Sequence, residues 1–170
     1  KFKSLTIKLD LISVIKMENI EIKTISLSEP DVYALVLPNG KANWDIAKPS
    51  TDTTPAAAAA DADTGETKFS LKLKKLEIIK ADIVYDDRQS KMFASFENFN
   101  LALAGDFTQD MTSVDIASTT DFATVIMDGV KYLKKASLKF NIAADADMKN
   151  SKYTLKDNSF SINDLTLGWN

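Results

Sequence analysis

The chain has 170 residues, and its content of 45% hydrophobic and 26% charged residues excludes a disordered chain. Its formal net charge of −3 provides no large positive field, so nucleic acid is not expected as a partner. Cysteine and histidine are both absent, which excludes disulfides, thiolate nucleophiles and imidazole bases.

Apolar and polar residues alternate through most of the chain, as they do in β-strands with one apolar and one polar face. In the N-terminal β segment, residues 1–48, this alternation predicts strands at Phe2–Leu11, Ile20–Leu27 and Val32–Leu37. The alternation fails just after Leu11, which predicts a bulge, a corner or one short helical turn there. A tight turn is expected at residues 38–40, where Gly40 supplies a residue that is free to adopt a positive φ.

Residues 49–67 differ from the rest in composition. They are rich in Ser, Thr, Asp and Pro and include five consecutive alanines, Ala56 to Ala60. Since they hold no aromatic or branched aliphatic side chain to anchor them in a core, they predict a flexible surface loop between two β segments. The run from Asp61 to Glu66 faintly resembles a calcium loop, but its glycine stands one position early, and we interpret it as solvated linker.

The main β region, residues 68–170, carries almost continuous strand signal. The predicted strands are Phe69–Ile78, Ala81–Tyr85, Met92–Phe96, Phe99–Ala104, Val114–Ile126, Val130–Ala144, Tyr153–Leu155 and Phe160–Leu167. The two longest, joined by an Asp128-Gly129 hairpin turn, are each expected to keep one phase, with Phe122 and Ile126 on the face of Val114.

These lengths predict an all-β fold of one structural domain. Strands well above the usual five or six residues favour a broad, curved antiparallel sheet or groove over a compact barrel. An open barrel-like sandwich with long hairpins and little helix is the alternative.

A weak internal similarity accompanies the strands. The residues Ile20-Glu21-Ile22, followed by Pro30-Asp31-Val32-Tyr33, resemble Leu76-Glu77-Ile78, followed by Ala81-Asp82-Ile83 and Tyr85. Each copy predicts a strand, a corner and a second strand. This agrees with a sheet that is built from similar β units added along one axis.

Carboxylates are the remaining candidates for chemistry. Asp86 and Asp87 would face opposite ways on a strand, and with Arg88 after them they favour a turn. Asp145 and Asp147 share one side of a strand, where a surface cation site is one interpretation and a sheet edge kept soluble by charge is the favoured one. No Gly-rich loop is present to hold a nucleotide, and we expect no catalytic residue, no cofactor and no metal.

One turn and its surroundings carry a family resemblance. The sharpest motif is Asn43-Trp44 after Gly40, preceded by Ile25-Ser26-Leu27 and Pro30. With the low-complexity loop and the strand pair of Leu73–Asp87 that follow, this region resembles the N-terminal region of AsmA-like proteins. The later block from Tyr132 to Trp169 is similar to the Bacteroidota-type members, so the resemblance covers most of the chain.

The resemblance implies a Gram-negative envelope protein. AsmA-like proteins are held in the inner membrane by an N-terminal helix, carry a β-rich periplasmic region and are related to TamB and the bridge-like lipid-transfer proteins. Their sheets curl into a groove with an apolar floor, and family members act in outer membrane assembly and phospholipid transport. Because the chain begins at Lys1 and ends on a strand-like run, we expect a fragment whose membrane anchor is missing.

The groove floor would be formed by five apolar residues of the main β region: Leu101, Leu103, Leu138, Phe140 and Ile142. The alternative is that these side chains pack as the core of a sandwich or closed barrel, which is the usual role of an apolar strand position. Trp44 is expected to plug the end of the sheet, and Asn43 to bond the backbone of the turn.

The sequence therefore predicts a non-catalytic protein of outer membrane assembly and cell envelope biogenesis. It would shelter or guide phospholipid, or another envelope lipid, along the groove in the periplasm. One alternative is an interaction module that binds another envelope protein by a sheet edge or by its apolar face. A second is a carbohydrate-binding or hydrolytic sandwich, which would need a concave site lined by aromatic side chains and paired carboxylates.

Overall fold

A computed structural model describes residues 1–16, 21–45, 72–105, 111–147 and 149–170. They form ten strands and one short helix, α1 (Leu11–Lys16). The strands are β1 (Ser4–Leu9), β2 (Glu21–Ser28), β3 (Asp31–Val36), β4 (Lys72–Leu73), β5 (Lys75–Asp87), β6 (Met92–Ala104), β7 (Met111–Met127), β8 (Val130–Asp147), β9 (Lys152–Ile162) and β10 (Leu165–Trp169). The predicted loop at 49–67, with the run from Asp61 to Glu66, lies outside the described residues.

All ten strands belong to one open sheet, so the predicted all-β fold is confirmed. The order is β1-β2-β5-β6-β7-β8-β9-β10, with β3 beside β5 and β4 beside β2. From β5 to β10, consecutive strands pair antiparallel as expected. The expectation did not include parallel pairs, yet β2 and β3 both lie parallel to β5, and β4 lies parallel to β2.

The failure of alternation after Leu11 corresponds to helix α1. The Oδ1 atom of Asp10 accepts hydrogen bonds from the backbone N–H groups of Ile12 at 2.9 Å and Ser13 at 3.0 Å. This is the usual way in which an aspartate caps the start of a helix. Of the three alternatives that the sequence left open, the short helical turn is the one that forms.

The sheet is a single layer in the part of the chain that the structure describes. Strands pack against their hydrogen-bonded neighbours, and no second sheet lies over either face. The buried apolar residues are all alanines: Ala81, Ala94, Ala123, Ala136 and Ala146. The sheet is not closed into a barrel, and no large side chain of the described residues is fully buried.

The two faces of the sheet differ in chemistry. Residues that pair across strands share a face, so the register assigns each side chain to one of them. The apolar face carries Leu5, Ile7, Ile25, Leu27, Leu76, Ile78, Leu101, Leu103, Val114, Ile116, Leu138, Phe140, Ile142, Phe160, Ile162, Leu165, Leu167 and Trp169. The polar face carries Thr6, Lys8, Ser26, Glu77, Asp115, Lys139, Asn141, Asp145, Lys156, Ser159 and Ser161.

A line of irregularities crosses the sheet, and we call it the crease. At the crease, two consecutive residues lie on the polar face before the alternation resumes. These pairs are Ser28-Glu29 between β2 and β3, Ile79-Lys80 in β5, Glu97-Asn98 in β6, Asp121-Phe122 in β7 and Lys134-Lys135 in β8. Four of the ten residues have a positive φ: Glu29 (49°), Lys80 (52°), Asn98 (50°) and Lys135 (50°).

The crease accounts for two errors in the sequence-based prediction. The gaps expected between Ile78 and Ala81, and between Phe96 and Phe99, are not strand ends, because β5 and β6 continue through them as bulged strands. The expected single phase of β7 is wrong, since the slip at the crease moves Phe122 and Ile126 to the polar face. The phase of β8 slips at Lys134-Lys135 in the same way.

Candidate functional site

The centre of the apolar face contains all five residues predicted for the groove floor. They lie on β6 and β8, with β7 between them. One row across these strands is Leu103, Ile116 and Ile142, and the next is Leu101, Ser118 and Phe140. In the row after these, Leu138 of β8 lies opposite Thr120 of β7. The five side chains are each partly exposed, so they form a surface rather than a core.

Aromatic side chains extend this surface towards β10. The ring of Phe140 lies 6.4 Å from that of Phe160, nearly perpendicular to it, and 6.5 Å from the ring of Trp169. Such contacts between ring edges and faces stabilise aromatic clusters beyond their buried area. The sequence prediction did not place Phe160 or Trp169 in the floor. The signal was the alternation of apolar residues along β9 and β10, but this alternation does not show that β9 pairs with β8 and β10 with β9.

A concave pocket lies on the same face where β7, β8 and β9 meet. Its volume is about 210 Å³, and its walls are Thr112, Val114, Ile116, Ile142, Ala144, Ala146 and Tyr153. Ile116 and Ile142 also belong to the central rows, so the pocket opens directly onto the groove floor. Its size exceeds the engineered apolar cavity of roughly 150 Å³ that is known to bind benzene.

The apolar face continues to both outer strands of the described sheet. In β1, Leu5 and Ile7 are 52% and 53% exposed, although they lie beside Leu27 and Ile25 of β2. At the opposite side, Leu165 and Leu167 are exposed to a similar degree. An apolar surface that extends over so many strands of the described sheet is unusual on a folded chain.

The polar face holds ion pairs, of which Asp145 with Lys156 is one. The Asp145 carboxylate accepts a hydrogen bond of 2.8 Å from the Ser113 hydroxyl and forms an ion pair with Lys156. The Lys156 ammonium is the main cause that holds the pKa of Asp145 below its usual value, with the hydroxyl second. Asp147 bonds Asn150 in the following turn. Since β8 lies between β7 and β9, the interpretation of this acidic pair as a sheet edge is wrong.

Asp86 and Asp87 end β5 and serve the turn that follows it. The Asp87 carboxylate accepts hydrogen bonds of 2.9 Å from the backbone N–H groups of Gln89 and Ser90. These bonds, with that from Ser90 first, hold the pKa of Asp87 below its usual value. Asp86 accepts bonds of 3.0 Å from Arg88 and from the Tyr33 hydroxyl. Both carboxylates are thus engaged in local structure.

The motif around Gly40 covers the outer edge of β3. Gly40 has a φ of 80° in the turn after β3. The Asn43 side chain accepts a hydrogen bond from the N–H of Leu35 at 3.0 Å and donates one to the carbonyl oxygen of Tyr33 at 2.7 Å. It therefore bonds the strand and not the turn. Trp44 is 50% exposed, so the expectation that it plugs the end of the sheet is wrong.

The described ranges contain no group of three or more His, Cys, Asp or Glu side chains placed to hold a metal ion. Among the described helices, none is long and apolar enough to cross a membrane. The apolar face is the feature that distinguishes this part of the chain.

Comparisons with known proteins do not assign the chain to a family. No family model, no curated protein and no solved structure matches it.

Proposed function

We propose that the protein shelters or guides phospholipid along its apolar face. The observation that carries this proposal is the continuous apolar surface of the single-layer sheet, on which Leu101, Leu103, Leu138, Phe140 and Ile142 lie side by side. A surface of partly exposed leucine, isoleucine and phenylalanine side chains is complementary to acyl chains, which offer hydrocarbon and no hydrogen-bonding groups.

The energetics of such binding need no catalytic residue. Each methylene of an acyl chain that leaves water for an apolar surface contributes about 0.8 kcal/mol. The opposite face supplies the contact with water, since ion pairs such as Asp145 with Lys156 lie there. One sheet can therefore hold lipid on one side and remain hydrated on the other.

The sequence resemblance extends the proposal to a cellular role. We place the protein among the AsmA-like proteins as a non-catalytic component of outer membrane assembly and cell envelope biogenesis. It would act in the periplasm, tethered to the inner membrane in the full-length protein, and its ligand would be phospholipid or another envelope lipid.

Native mass spectrometry with lipid extraction tests the proposal. The protein is purified from Gram-negative cells, and the variant Leu138→Asp/Phe140→Asp is compared with Lys139→Asp/Asn141→Asp. The two pairs alternate along β8, so the first adds charge to the apolar face and the second to the polar face. Circular dichroism verifies that each variant folds.

Copurified phospholipid in stoichiometric amount is expected for the unchanged protein and the polar-face variant, with at least a tenfold loss in the apolar-face variant. A lipid-free protein, or equal lipid in both folded variants, contradicts the proposal.

One observation favours a second candidate, an interaction module. Strand β10, the last strand of the described sheet, has the sequence Leu-Thr-Leu-Gly-Trp, which lacks the charges and proline that usually protect a sheet edge. A strand from an envelope protein could pair with it by β-augmentation. Capture of a protein without lipid, lost on Thr166→Pro, would favour this candidate.

A further inference from the structure

The crease is a line along which the hydrogen-bond ladder of the sheet is interrupted. The register between β5 and β6 shifts on both sides of Ala81, and that between β7 and β8 shifts on both sides of Ala123. Bulges bend strands, and here they occur side by side in neighbouring strands. The crease therefore divides the sheet into two plates. The first contains β1, β2, β9 and β10 with the first halves of β5 and β7 and the second halves of β6 and β8, and the second contains β3 with the remaining halves of β5 to β8.

Burial shows the direction of the bend. On the apolar face, Ala81 and Ala123 have 0% exposure although no second layer of described residues covers them. On the polar face, the bulged residues Lys80, Glu97 and Lys135 are exposed. Small side chains are enclosed by their neighbours on the apolar side, and long charged side chains spread apart on the polar side. This contrast indicates that the two plates incline towards the apolar face. The rings of Phe96 and Phe99 meet across the crease there at 6.3 Å.

Side chains on the outer side of the bend replace the interrupted ladder. The backbone N–H of Asn98 donates to the Asp82 carboxylate at 3.0 Å, and its side-chain amide donates to the Asp121 carboxylate at 2.7 Å. One asparagine thus joins β5, β6 and β7. Between β7 and β8, the Lys135 ammonium lies 5.5 Å from the centre of the Phe122 ring. Asparagine is also a residue that tolerates the positive φ required at this position.

We propose that the crease is a locked hinge and that Asn98, through Asp82 and Asp121, is its lock. In the locked state the two plates keep one angle, which gives the apolar face a preset concave shape. Releasing the lock frees the plates to change their angle while each plate keeps its own ladder. This conformational device is independent of what the apolar face binds.

Distances between paired spin labels test the hinge. The chain has no cysteine, so labels attach only where cysteine is introduced. Lys131→Cys and Lys139→Cys report across the crease, because these exposed residues of β8 lie on opposite sides of it, roughly 25 Å apart along the strand. Lys8→Cys with Lys139→Cys reports within the first plate, over five strand spacings of about 4.8 Å each.

Two variants release the lock in different ways. Asn98→Gly keeps the positive φ and the backbone bond to Asp82 but removes the side-chain bond to Asp121, whereas Asp82→Ala/Asp121→Ala removes both acceptors and leaves the backbone of β6 unchanged. Asp128→Gly is the matched control, since Asp128 has a positive φ of 48° in the β7–β8 turn, away from the crease.

We expect a narrow distance distribution across the crease in the unchanged protein and in the control, and one at least twice as broad in both lock variants. The pair within the first plate should keep its width throughout. A broad distribution in the unchanged protein, an unaltered width in either lock variant, or equal broadening within the plate overturns the proposal.

Discussion

The backbone N–H of Asp82 donates a hydrogen bond of 2.9 Å to the carbonyl oxygen of Pro30, and this bond joins two corners of the same shape. Every residue of β5 that pairs with β2 or β3 lies beside the residue 51 positions earlier in the chain. This spacing is the same before and after the corner. Glu29 and Lys80 occupy equivalent places and both have a positive φ. The weak internal similarity of the sequence thus corresponds to two neighbouring β units that bend together.

Lys80 is a position where backbone conformation limits the choice of residue. Its φ of 52° is unfavourable for a β-branched side chain, which collides with its own backbone there. We expect Lys80→Ile to lower the free energy of unfolding by about 1–2 kcal/mol. Lys139→Ile is the control, because Lys139 is also exposed on a strand but has no positive φ. Urea denaturation that shows equal losses for both would contradict this explanation.

Ala123 marks the inner side of the crease, where space is limited. Its side chain is fully enclosed, so the larger side chain of Ala123→Leu would force its neighbours apart at a cost of about 1–3 kcal/mol. Ala117→Leu is the matched control, since Ala117 lies in the same strand but is exposed on the polar face. We expect the control to change the free energy of unfolding, measured in urea, by less than about 0.5 kcal/mol. Similar losses at the two positions would show that the crease is not tightly packed.

Much of the sheet was predictable because alternation is a local signal. Period two located strand structure from β1 to β8 and placed the floor residues of β6 and β8 on one face. It was wrong at the C-terminal hairpin, where the predicted strand Tyr153–Leu155 is only part of β9 and the predicted strand Phe160–Leu167 runs through the turn between β9 and β10. The parallel pairing of β2 with β5 was not predictable, since it depends on contacts between residues 51 positions apart. The sequence left open whether the apolar face forms a groove floor or a sandwich core for a related reason: alternation identifies an apolar face without revealing what covers it.

Interruptions of the apolar–polar alternation are also visible in the sequence, but the structural cause of each interruption is not. The pairs Ile79-Lys80 and Glu97-Asn98 interrupt the alternation, and a strand break explains such a gap as well as a bulge does. The alignment of the internal similarity was wrong in its first half for the same reason. The structure places Ile25-Ser26-Leu27, and not Ile20-Glu21-Ile22, beside Leu76-Glu77-Ile78.

Asn43 takes the place of a neighbouring strand at the edge of β3. Its amide group makes two hydrogen bonds to the backbone of Tyr33 and Leu35, so Asn43→Ala should leave both groups to water. Because the site is exposed, we expect a loss of only about 1 kcal/mol in the free energy of unfolding. The amide hydrogen of Leu35 should exchange with solvent about tenfold faster. Unchanged exchange at Leu35 would show that the side chain does not protect this edge.

Trp44 follows Asn43, and its replacement is also expected to lower the free energy of unfolding only modestly. Half of its surface remains exposed, so Trp44→Ala should lower the free energy of unfolding by about 1 kcal/mol, well below the roughly 3–5 kcal/mol of a buried tryptophan. Thermal or urea denaturation measures the difference. A loss above about 3 kcal/mol would mean that the ring is buried in solution.

Acid should destabilise the sheet through its paired carboxylates. The pKa of Asp10 is lowered chiefly by Lys23, that of Asp87 by the Ser90 backbone and that of Asp145 by Lys156. A carboxylate whose folded pKa lies below its unfolded value of about 3.9 stabilises the fold above that pH and loses this contribution as pH falls through the folded pKa. Because histidine is absent, we expect constant stability between about pH 5 and 8 and a decline below about pH 4.

The midpoint of urea denaturation, measured across this pH range, tests the expected decline in stability. The variant Asp145→Asn should flatten the decline. A midpoint that does not fall in acid would contradict the ion pairs.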